Sequence, residues 1–319
     1  MISQQKPSTW LLLLAFLTIY IVWGSSYIAI HFATETIPPF FMMGTRLGLA
    51  GLVLTLLARR GGAAFPTRPQ WRSAAIAGFF LFVLNAGAIA YAVANLGMPS
   101  GMAAVLLATT PLWMVLLNWL RRGGTAPTGQ TMIGVIVGFV GIVMLVNPGG
   151  ESTITNPLGA LAILFAAICW TGGSLYMRGA DLAPSPTMAT GTQLLCGGVM
   201  LVGVSLITGE LNSFDPSLVT FRSVAAMIYL GIFNSALGFS AYVWLLRVTT
   251  PSRVATYAYV NPVVAVILGA VLANEMITGQ AVLAGVIILF SVLLINMQRL
   301  PSMQRLRVRL QAQLAKPNA

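Results

Sequence analysis

The sequence predicts an all-α membrane protein, in which ten transmembrane helices form two inverted five-helix repeats with both termini cytoplasmic. Three observations lead to this fold class: the composition, the number of long apolar stretches and a repeat within the chain. Of the 319 residues, 57% belong to the AVILMFWYC set and only 7% are charged, against about 25% in soluble domains. So few charges cannot cover the surface of a soluble fold. Soluble enzymes, secreted disulfide scaffolds and disordered chains are therefore excluded.

Ten stretches of the sequence are long and apolar enough to cross a bilayer, which takes about 20 residues of helix. Each stretch is bounded by proline, glycine, charged residues or a polar cluster. The predicted spans are 10–31, 38–58, 72–95, 99–120, 130–147, 157–177, 187–208, 221–246, 251–272 and 279–297.

The charges between the spans predict their orientation. With the N-terminus inside, 15 of the 17 Lys and Arg residues fall on the cytoplasmic side and five of the six acidic residues fall outside. Cytoplasmic loops of membrane proteins accumulate Lys and Arg, so this orientation is preferred and both termini are expected in the cytoplasm. The basic tail, residues 298–319, is expected to lie on anionic lipid headgroups rather than to bind nucleic acid.

The second half of the chain repeats the first. A shift of 147 residues superposes Trp23 on Trp170, and a shift of 151 residues superposes Pro111 on Pro262. Each copy holds five spans, and because five is odd the second copy enters the membrane in the opposite orientation. This arrangement is an inverted repeat about a pseudo-two-fold axis in the membrane plane, as many secondary transporters have. The predicted domains are the first repeat, residues 10–147, the second repeat, residues 157–297, and the tail.

Four segments carry a resemblance to a known family. They are Trp23-Gly24-Ser25-Ser26-Tyr27, Pro99-Ser100-Gly101-Met102-Ala103-Ala104, the stretch 257–265 (YAYVNPVVA), and Ala273-Asn274-Glu275 at the end of the ninth span. In these segments the chain resembles the EamA-type exporters of the drug/metabolite transporter superfamily, over about residues 10–297. The resemblance implies ten helices in two inverted repeats and export of amino acids or other metabolites across the bacterial inner membrane. It also implies a central cavity lined mainly by spans three, four, eight and nine.

The candidate substrate-binding residues are polar and aromatic side chains inside the spans, where such groups are costly and need a reason. Aromatic walls with a few amide and hydroxyl groups suit a small amphipathic solute, although plain interhelical packing is the alternative for the tryptophans. The predicted binding residues are Trp23, Asn85, Tyr91, Thr110, Trp113, Trp170, Asn234, Tyr242, Tyr257 and Asn261. Pro111 and Pro262 are expected to kink the fourth and ninth helices beside one cavity, because proline frees a carbonyl four residues earlier.

Arg46 and Glu275 are the predicted gating or charge-bearing residues. Arg46 is a full charge well inside the second span, and it either binds a substrate carboxylate, satisfies exposed carbonyls, or pairs with Glu275 or Glu35. The first repeat has no acidic counterpart to Glu275, since its fourth span ends in Trp119-Leu120-Arg121-Arg122. Because no Asp or Glu lies at midplane depth, facilitated export or weak coupling is favoured over tight proton antiport.

The expected function is therefore that of a secondary or facilitative exporter in the bacterial inner membrane, with amino acids, aromatic or broadly neutral, as cargo. The alternatives are a passive solute channel and a carrier of other cargo of this superfamily, such as drugs or organic cations. An enzyme is not expected, because the sequence has no HExxH motif and no Ser/Lys dyad. No metal or cofactor is expected. The expected partners are a small-molecule substrate and the bilayer, with no nucleic acid, and the protein is expected to be a monomer or weak homodimer.

Overall fold

The computed structural model describes residues 8–297, except for 122–123, 125, 147–155, 250–253 and 255. Eight of the described helices are long and apolar enough to cross a membrane, and two shorter apolar helices follow them. The described part of the chain contains no strand. These findings confirm the predicted all-α membrane protein. The predicted basic tail, 298–319, and the last residue of the first predicted repeat, 147, lie outside the described residues.

The helices follow the predicted spans closely. They are α1 (Thr9–Ala33), α2 (Pro39–Arg60), α3 (Arg68–Asn95), α4 (Ser100–Leu120), α5 (Gly129–Val146), α6 (Pro157–Met177), α7 (Pro186–Thr208), α8 (221–248), α9 (Tyr257–Ala273) and α10 (Gly279–Met297).

Two helices are interrupted. α1 breaks at Ser25, and α4 breaks at Ala108 and Thr109, directly before Pro111. Proline has no N–H to donate and suits the first turn of a helix, and Pro111 lies in the first turn of the second part of α4, which begins at Thr110. Pro262 instead lies inside α9, without an interruption at the matching place. The two prolines that match in sequence therefore affect their helices differently.

α3 and α8 each contain a π-helical segment in the middle. The segments are Phe79–Gly87 and Leu230–Gly238, and the distance between them in sequence is the same 151 residues that superpose Pro111 on Pro262. A π-helical turn spaces its backbone hydrogen bonds five residues apart instead of four and is frequent at functional sites. In α8 the Ser235 hydroxyl donates to the Leu230 carbonyl at 3.2 Å.

The packing of the helices has the same pattern in both halves of the chain. The most extensive contact joins α2 to α7, and α5 pairs with α10 as α4 pairs with α9. α1 packs on α8 and α9, as α6 packs on α3 and α4, and α2 contacts α8 as α7 contacts α3. The contacts α1–α8, α1–α9 and α2–α8 therefore each have a counterpart five helices further along the chain, and the other three pairs each join a helix to the one five places later.

α4 and α9 pack on each other mainly over the first part of α4, Ser100–Leu107. The backbone of Gly101 lies so close to α9 that a Cβ there would be 3.0 Å from the Cα of Val266. The second part of α4, Thr110–Leu120, packs instead on α5 and α6. The two helices therefore diverge towards the end of α4.

Candidate functional site

Charge divides the described ends of the helices into two groups. We call the end that carries Glu35, Glu210, Asp215 and Glu275 the acidic end, and the end that carries Arg59, Arg60, Arg68, Arg72, Arg121 and Arg178 the arginine end. Arg222 lies at the acidic end and Asp181 at the arginine end. This is the segregation of charge that the sequence predicts.

Four rings from three helices form an aromatic cluster, which consists of Trp23, Phe239, Tyr242 and Tyr257. The ring of Trp23 has its centroid 5.5 Å from that of Phe239, 5.2 Å from that of Tyr242 and 5.0 Å from that of Tyr257. Gly238 makes room for the indole, since a Cβ on Gly238 would lie 2.6 Å from Trp23 Nε1. The structure thus brings three of the predicted binding residues together, on α1, α8 and α9.

The polar atoms of the aromatic cluster are the indole N–H of Trp23 and the hydroxyls of Tyr242 and Tyr257. Among the described residues, nothing accepts a hydrogen bond from the indole N–H of Trp23 or from the hydroxyls of Tyr242 and Tyr257. Buried indole and phenol groups normally find such a partner. The cluster therefore offers three donors on an otherwise apolar wall, a combination that suits an amphipathic ligand.

Asn261 bonds to the backbone of the two helices that carry Tyr257 and Trp23. Its amide is buried, and with the nitrogen turned towards them it donates to the carbonyls of Tyr257 at 3.1 Å and Tyr20 at 3.2 Å. The bond to Tyr20 joins the first turns of α9 to α1, and the bond to Tyr257 stays within α9. Contact of Asn261 with substrate stays a prediction.

A cleft reaches the aromatic cluster from the arginine end. It lies between α2, α7 and α8, has a volume of about 210 Å³, and is lined in part by Phe239, Ser240 and Trp244. A second opening of about 410 Å³ lies between the end of α2, at Gly61–Ala63, and the start of α7, and Thr187 lines both spaces. Phe239, which sequence reasoning missed because it resembles any apolar core residue, therefore joins the cleft to the cluster.

Arg46 lies buried against α8. Its Nη1 donates to Asn234 Oδ1 at 3.4 Å and to Ser235 Oγ at 3.3 Å, and its Nε and Nη2 approach the Met43 sulfur at 3.0 and 2.8 Å. The predicted binding residue Asn234 is thus a partner of Arg46.

Neither acidic residue that the sequence offers as a partner reaches Arg46. Glu35 lies 3.5 Å from Arg222 and 4.0 Å from His31, and Glu275 is bonded to the start of α4. Pairing with Glu275 or Glu35, one of the three roles left open for Arg46, is therefore not found, because both carboxylates have other partners at the acidic end.

Two of the remaining predicted binding residues, Asn85 and Thr110, are polar side chains outside the aromatic cluster. The Asn85 amide donates to the Ala166 carbonyl at 2.9 Å and so joins α3 to α6. The Thr110 hydroxyl donates to the Leu107 carbonyl at 2.6 Å, across the break in α4. Both side chains are therefore bonded within the protein.

The aromatic residues outside the cluster pack on other helices. Tyr91 stacks on Phe40, with centroids 5.7 Å apart. Trp113 packs edge-on against Phe139, and its N–H donates to the Thr109 hydroxyl at 3.2 Å. Trp170, the repeat mate of Trp23, packs half-buried against the main apolar core. A role in substrate binding stays a prediction for these residues.

Two glutamates at the acidic end bond to the first turns of helices in the other half of the chain. Glu275 accepts from the backbone N–H groups of Ser100 at 2.6 Å and Gly101 at 3.0 Å, where α4 begins. Glu210 accepts from Phe41 at 2.6 Å and Phe40 at 3.3 Å, where α2 begins. The first N–H groups of a helix have no partner within it and attract negative charge.

Both glutamates follow a residue with a left-handed backbone. Gly209 has φ 71° and Asn274 has φ 53°, and such a residue ends a helix and turns the chain back. Sequence reasoning missed Glu210, although the pair Gly209-Glu210 after α7 gave the same signal as Asn274-Glu275 after α9. The result is that the end of α7 is bonded to its repeat mate α2, and the end of α9 to its repeat mate α4.

Comparison with known proteins relates the chain to membrane transporters. The model of the EamA-like transporter family matches residues 9–147 and again residues 157–297. The "uncharacterized inner membrane transporter YedA" of Escherichia coli strain K12 is 38% identical over 284 residues, which cover 89% of this chain and 90% of YedA. "Protein PecM" of Dickeya dadantii is 29% identical, with 86% of this chain and 88% of PecM covered.

Two more distant similarities cover most of the chain. A protein of Escherichia coli strain K12 named "probable amino-acid metabolite efflux pump" is 23% identical, with 86% of this chain and 90% of that protein covered. A crystal structure with 20% sequence identity superposes with a TM-score of 0.61, and the match covers 91% of this chain and 99% of that one. At this identity the crystal structure shows a shared fold and nothing about the activity.

Proposed function

Because the chain belongs to the EamA-like transporter family, we propose that it exports small amphipathic metabolites, with aromatic or broadly neutral amino acids as the substrate class. The chain is a transporter and a multi-pass protein of the bacterial inner membrane. Transport would be secondary or facilitative, with both termini in the cytoplasm. The working unit would be a monomer or weak homodimer. Its partners would be a small-molecule substrate and the lipid bilayer, and it would not bind nucleic acid.

The observation that carries this proposal is the aromatic cluster at the end of the cleft. Trp23, Phe239, Tyr242 and Tyr257 converge from three helices, and the cleft leads to Phe239 from the arginine end. Apolar aromatic walls with a few polar groups are what small-molecule sites have in common. The relative named as an efflux pump for amino-acid metabolites supports the same substrate class.

The mechanism we propose is alternating access of two inverted five-helix repeats, residues 10–147 and 157–297. The contact pattern that recurs five helices further along supports it, as do the π-helical segments 151 residues apart. Glu275 would hold the acidic end closed while α4 and α9 diverge at the arginine end. A solute from the cytoplasm would then enter the cleft and reach the aromatic cluster.

Counterflow in proteoliposomes tests this function. Vesicles loaded with L-phenylalanine, L-tryptophan or L-leucine should take up the same labelled amino acid, with saturable rates that depend on the internal solute. Trp23→Ala should lower the rate at least about tenfold if the indole contacts the solute, because losing one good contact costs about 1.4 kcal/mol or more. Trp10→Ala is the matched control, since Trp10 is 76% exposed at the start of α1.

Two outcomes would contradict the proposal. Linear, non-saturable flux that needs no solute inside the vesicle would identify a passive channel. Equal rates for Trp23→Ala and Trp10→Ala, with normal insertion of both variants, would remove the aromatic cluster from the transport path.

A further inference from the structure

Arg46 is a buried cation whose N–H groups have only weak or distant hydrogen-bond acceptors. The residue is only 6% exposed, and its guanidinium has five N–H groups. Its contacts are one thioether, which is a weak acceptor, and two neutral oxygens at 3.3 and 3.4 Å. A charge in the membrane interior normally pairs with an opposite charge or serves a function.

No acidic side chain on the helices around Arg46 can neutralise it. α2 packs against α3, α7 and α8, and none of these helices contains Asp or Glu. Glu210, at the end of α7, accepts from the N–H groups of Phe40 and Phe41. Glu35 lies beside Arg222. The described residues near Arg46 therefore leave its charge without an anion.

The aromatic cluster lies one helical turn away along α8. Asn234 and Ser235 contact Arg46, whereas Gly238 and Phe239 contact Trp23. One turn of the π-helical segment, which is wound more widely than an α-helical turn of about 5.4 Å, advances the chain by on the order of 5 Å. This is about the length that separates the carboxylate from the ring in an aromatic amino acid or a short arylalkanoate. A single small molecule could therefore meet the guanidinium and the aromatic rings together.

We propose that Arg46 binds the carboxylate of the transported solute, so that the site accepts carboxylates with an aromatic body and disfavours the matching amides and amines. The inference rests on the proposed function, because it assumes that the aromatic cluster holds a solute. Arginine binds a carboxylate through two parallel charge-assisted hydrogen bonds, which are about twice as strong as neutral ones. The long bonds to Asn234 and Ser235 would be exchanged for the substrate oxygens.

A pair of probes that differ in charge tests the proposal by binding alone. We would measure the thermal stabilisation of the purified, detergent-solubilised protein by 3-phenylpropionate and by 3-phenylpropanamide. The carboxylate should bind at least about tenfold more tightly than the amide. Equal affinities for the two probes in the wild-type protein would overturn the proposal.

A variant with a carboxylate beside Arg46 tests whether the preference for 3-phenylpropionate over its amide arises at Arg46. Asn234→Asp places an anion within bonding distance of the Arg46 guanidinium, which is 3.4 Å from the Asn234 oxygen. The variant should fold, since it pairs a buried charge, and it should lose at least about tenfold in affinity for 3-phenylpropionate. Asn95→Asp is the matched control, because Asn95 is exposed at the end of α3. Unchanged carboxylate affinity in Asn234→Asp would overturn the proposal.

Arg46→Lys and Arg46→Gln complete the series of variants. Measuring binding of 3-phenylpropionate separately from its transport distinguishes this inference from the proposed function. Arg46→Lys should keep part of the preference for the carboxylate, and Arg46→Gln should lose it if the protein folds. Counterflow of 3-phenylpropionate is measured on the same preparations. A carboxylate preference without counterflow would contradict export and leave the Arg46 site standing. Counterflow without a carboxylate preference would contradict the Arg46 site and leave export standing.

Discussion

Glu210 and Glu275 make the same kind of bond, yet they join helices that are packed differently. Glu210 connects α2 and α7, which are in close contact from Gly44 against Val202 to Thr55 against Gly191. Glu275 connects α4 and α9, whose contact is concentrated in the first part of α4, Ser100–Leu107. A joint between diverging helices can open without disturbing a packed interface. We therefore expect Glu275 to act in gating and Glu210 to act in stability.

Removing the charge of each glutamate should separate these roles. Glu275→Gln should speed the labelling of a cysteine placed at position 27 by an impermeant maleimide added outside whole cells. A charge at a helix N-terminus contributes up to about 2 kcal/mol, so the open population should rise about 5- to 30-fold. Glu210→Gln should lower the melting temperature and leave the labelling rate unchanged. Cys169 and Cys196 are first replaced by serine in every variant, so that only the introduced cysteine can react.

Asp215→Asn controls for the loss of an outer negative charge. The Asp215 carboxylate accepts from the backbone and hydroxyl of Ser217, and these hydrogen bonds lower its pKa, but they stay within one turn of the loop. This variant should change neither labelling nor stability. If Glu275→Gln were labelled no faster than Glu210→Gln, Glu275 would not be a gating residue.

The sequence predicts some residues of the candidate site and not others, because it does not show which groups neighbouring helices present to a side chain. Trp23, Tyr242 and Tyr257 were foreseeable, because large amphipathic rings away from the interface are unusual in a span. Asn85 was predicted because a polar amide inside a span is costly, but it bonds to the Ala166 carbonyl on another helix. Spacing along one helix cannot show which acceptor a neighbouring helix presents. For the same reason, the sequence left three roles open for Arg46.

At the scale of helices, α2 and α7 are held together by glycines that match between the repeats. A Cβ on Gly44 would lie 2.7 Å from the backbone N of Val202, and one on Gly191 would lie 2.7 Å from Thr55 Oγ1. The backbones are therefore in direct contact, which is how small residues promote helix association in membranes. The predicted spans of these two helices agree with the structure within two residues because hydropathy determines them.

Gly198→Ala should destabilise this interface strongly. The added Cβ would lie 2.6 Å from the Cα of Gly48, and the backbone cannot move aside as a side chain could. Overpacking of this kind costs about 1–3 kcal/mol, so we expect the melting temperature in detergent to fall by about 3 °C or more. Gly203→Ala on the same helix is the matched control, since a Cβ there meets nothing within 4 Å. Equal melting temperatures for the two variants would show that the contact does not limit stability.

The π-helical segments are the feature of the helices that hydropathy could not predict. Phe79–Gly87 and Leu230–Gly238 are as apolar as their surroundings, and no residue type marks the change in hydrogen bonding. The segment in α8 matters for the site, because it carries Asn234 and Ser235 towards Arg46 and ends at Gly238 beside Trp23. Tertiary packing, rather than local sequence, therefore sets the direction of these side chains.

At the scale of the whole molecule, the described residues place inter-helix hydrogen bonds at the acidic end and two clefts at the arginine end. At the acidic end, Glu275 joins α9 to α4, and Ser223 on α8 donates to the Phe32 carbonyl of α1 at 2.8 Å. At the arginine end, clefts of about 210 and 410 Å³ open beside α2 and α7. We propose that these features belong to a state closed at the acidic end and open at the arginine end, which is one of the two states that alternating access requires.

Distances between spin labels at the two ends test alternating access most directly. One pair, at positions 94 and 276, reports on the acidic end, and the other, at positions 9 and 120, reports on the arginine end; all four residues are exposed. Alternating access predicts two populations in lipid, in which one end is wide whenever the other is narrow, and an exported solute should shift their ratio. Populations with both ends wide, or ratios that no solute changes while counterflow proceeds, would contradict it.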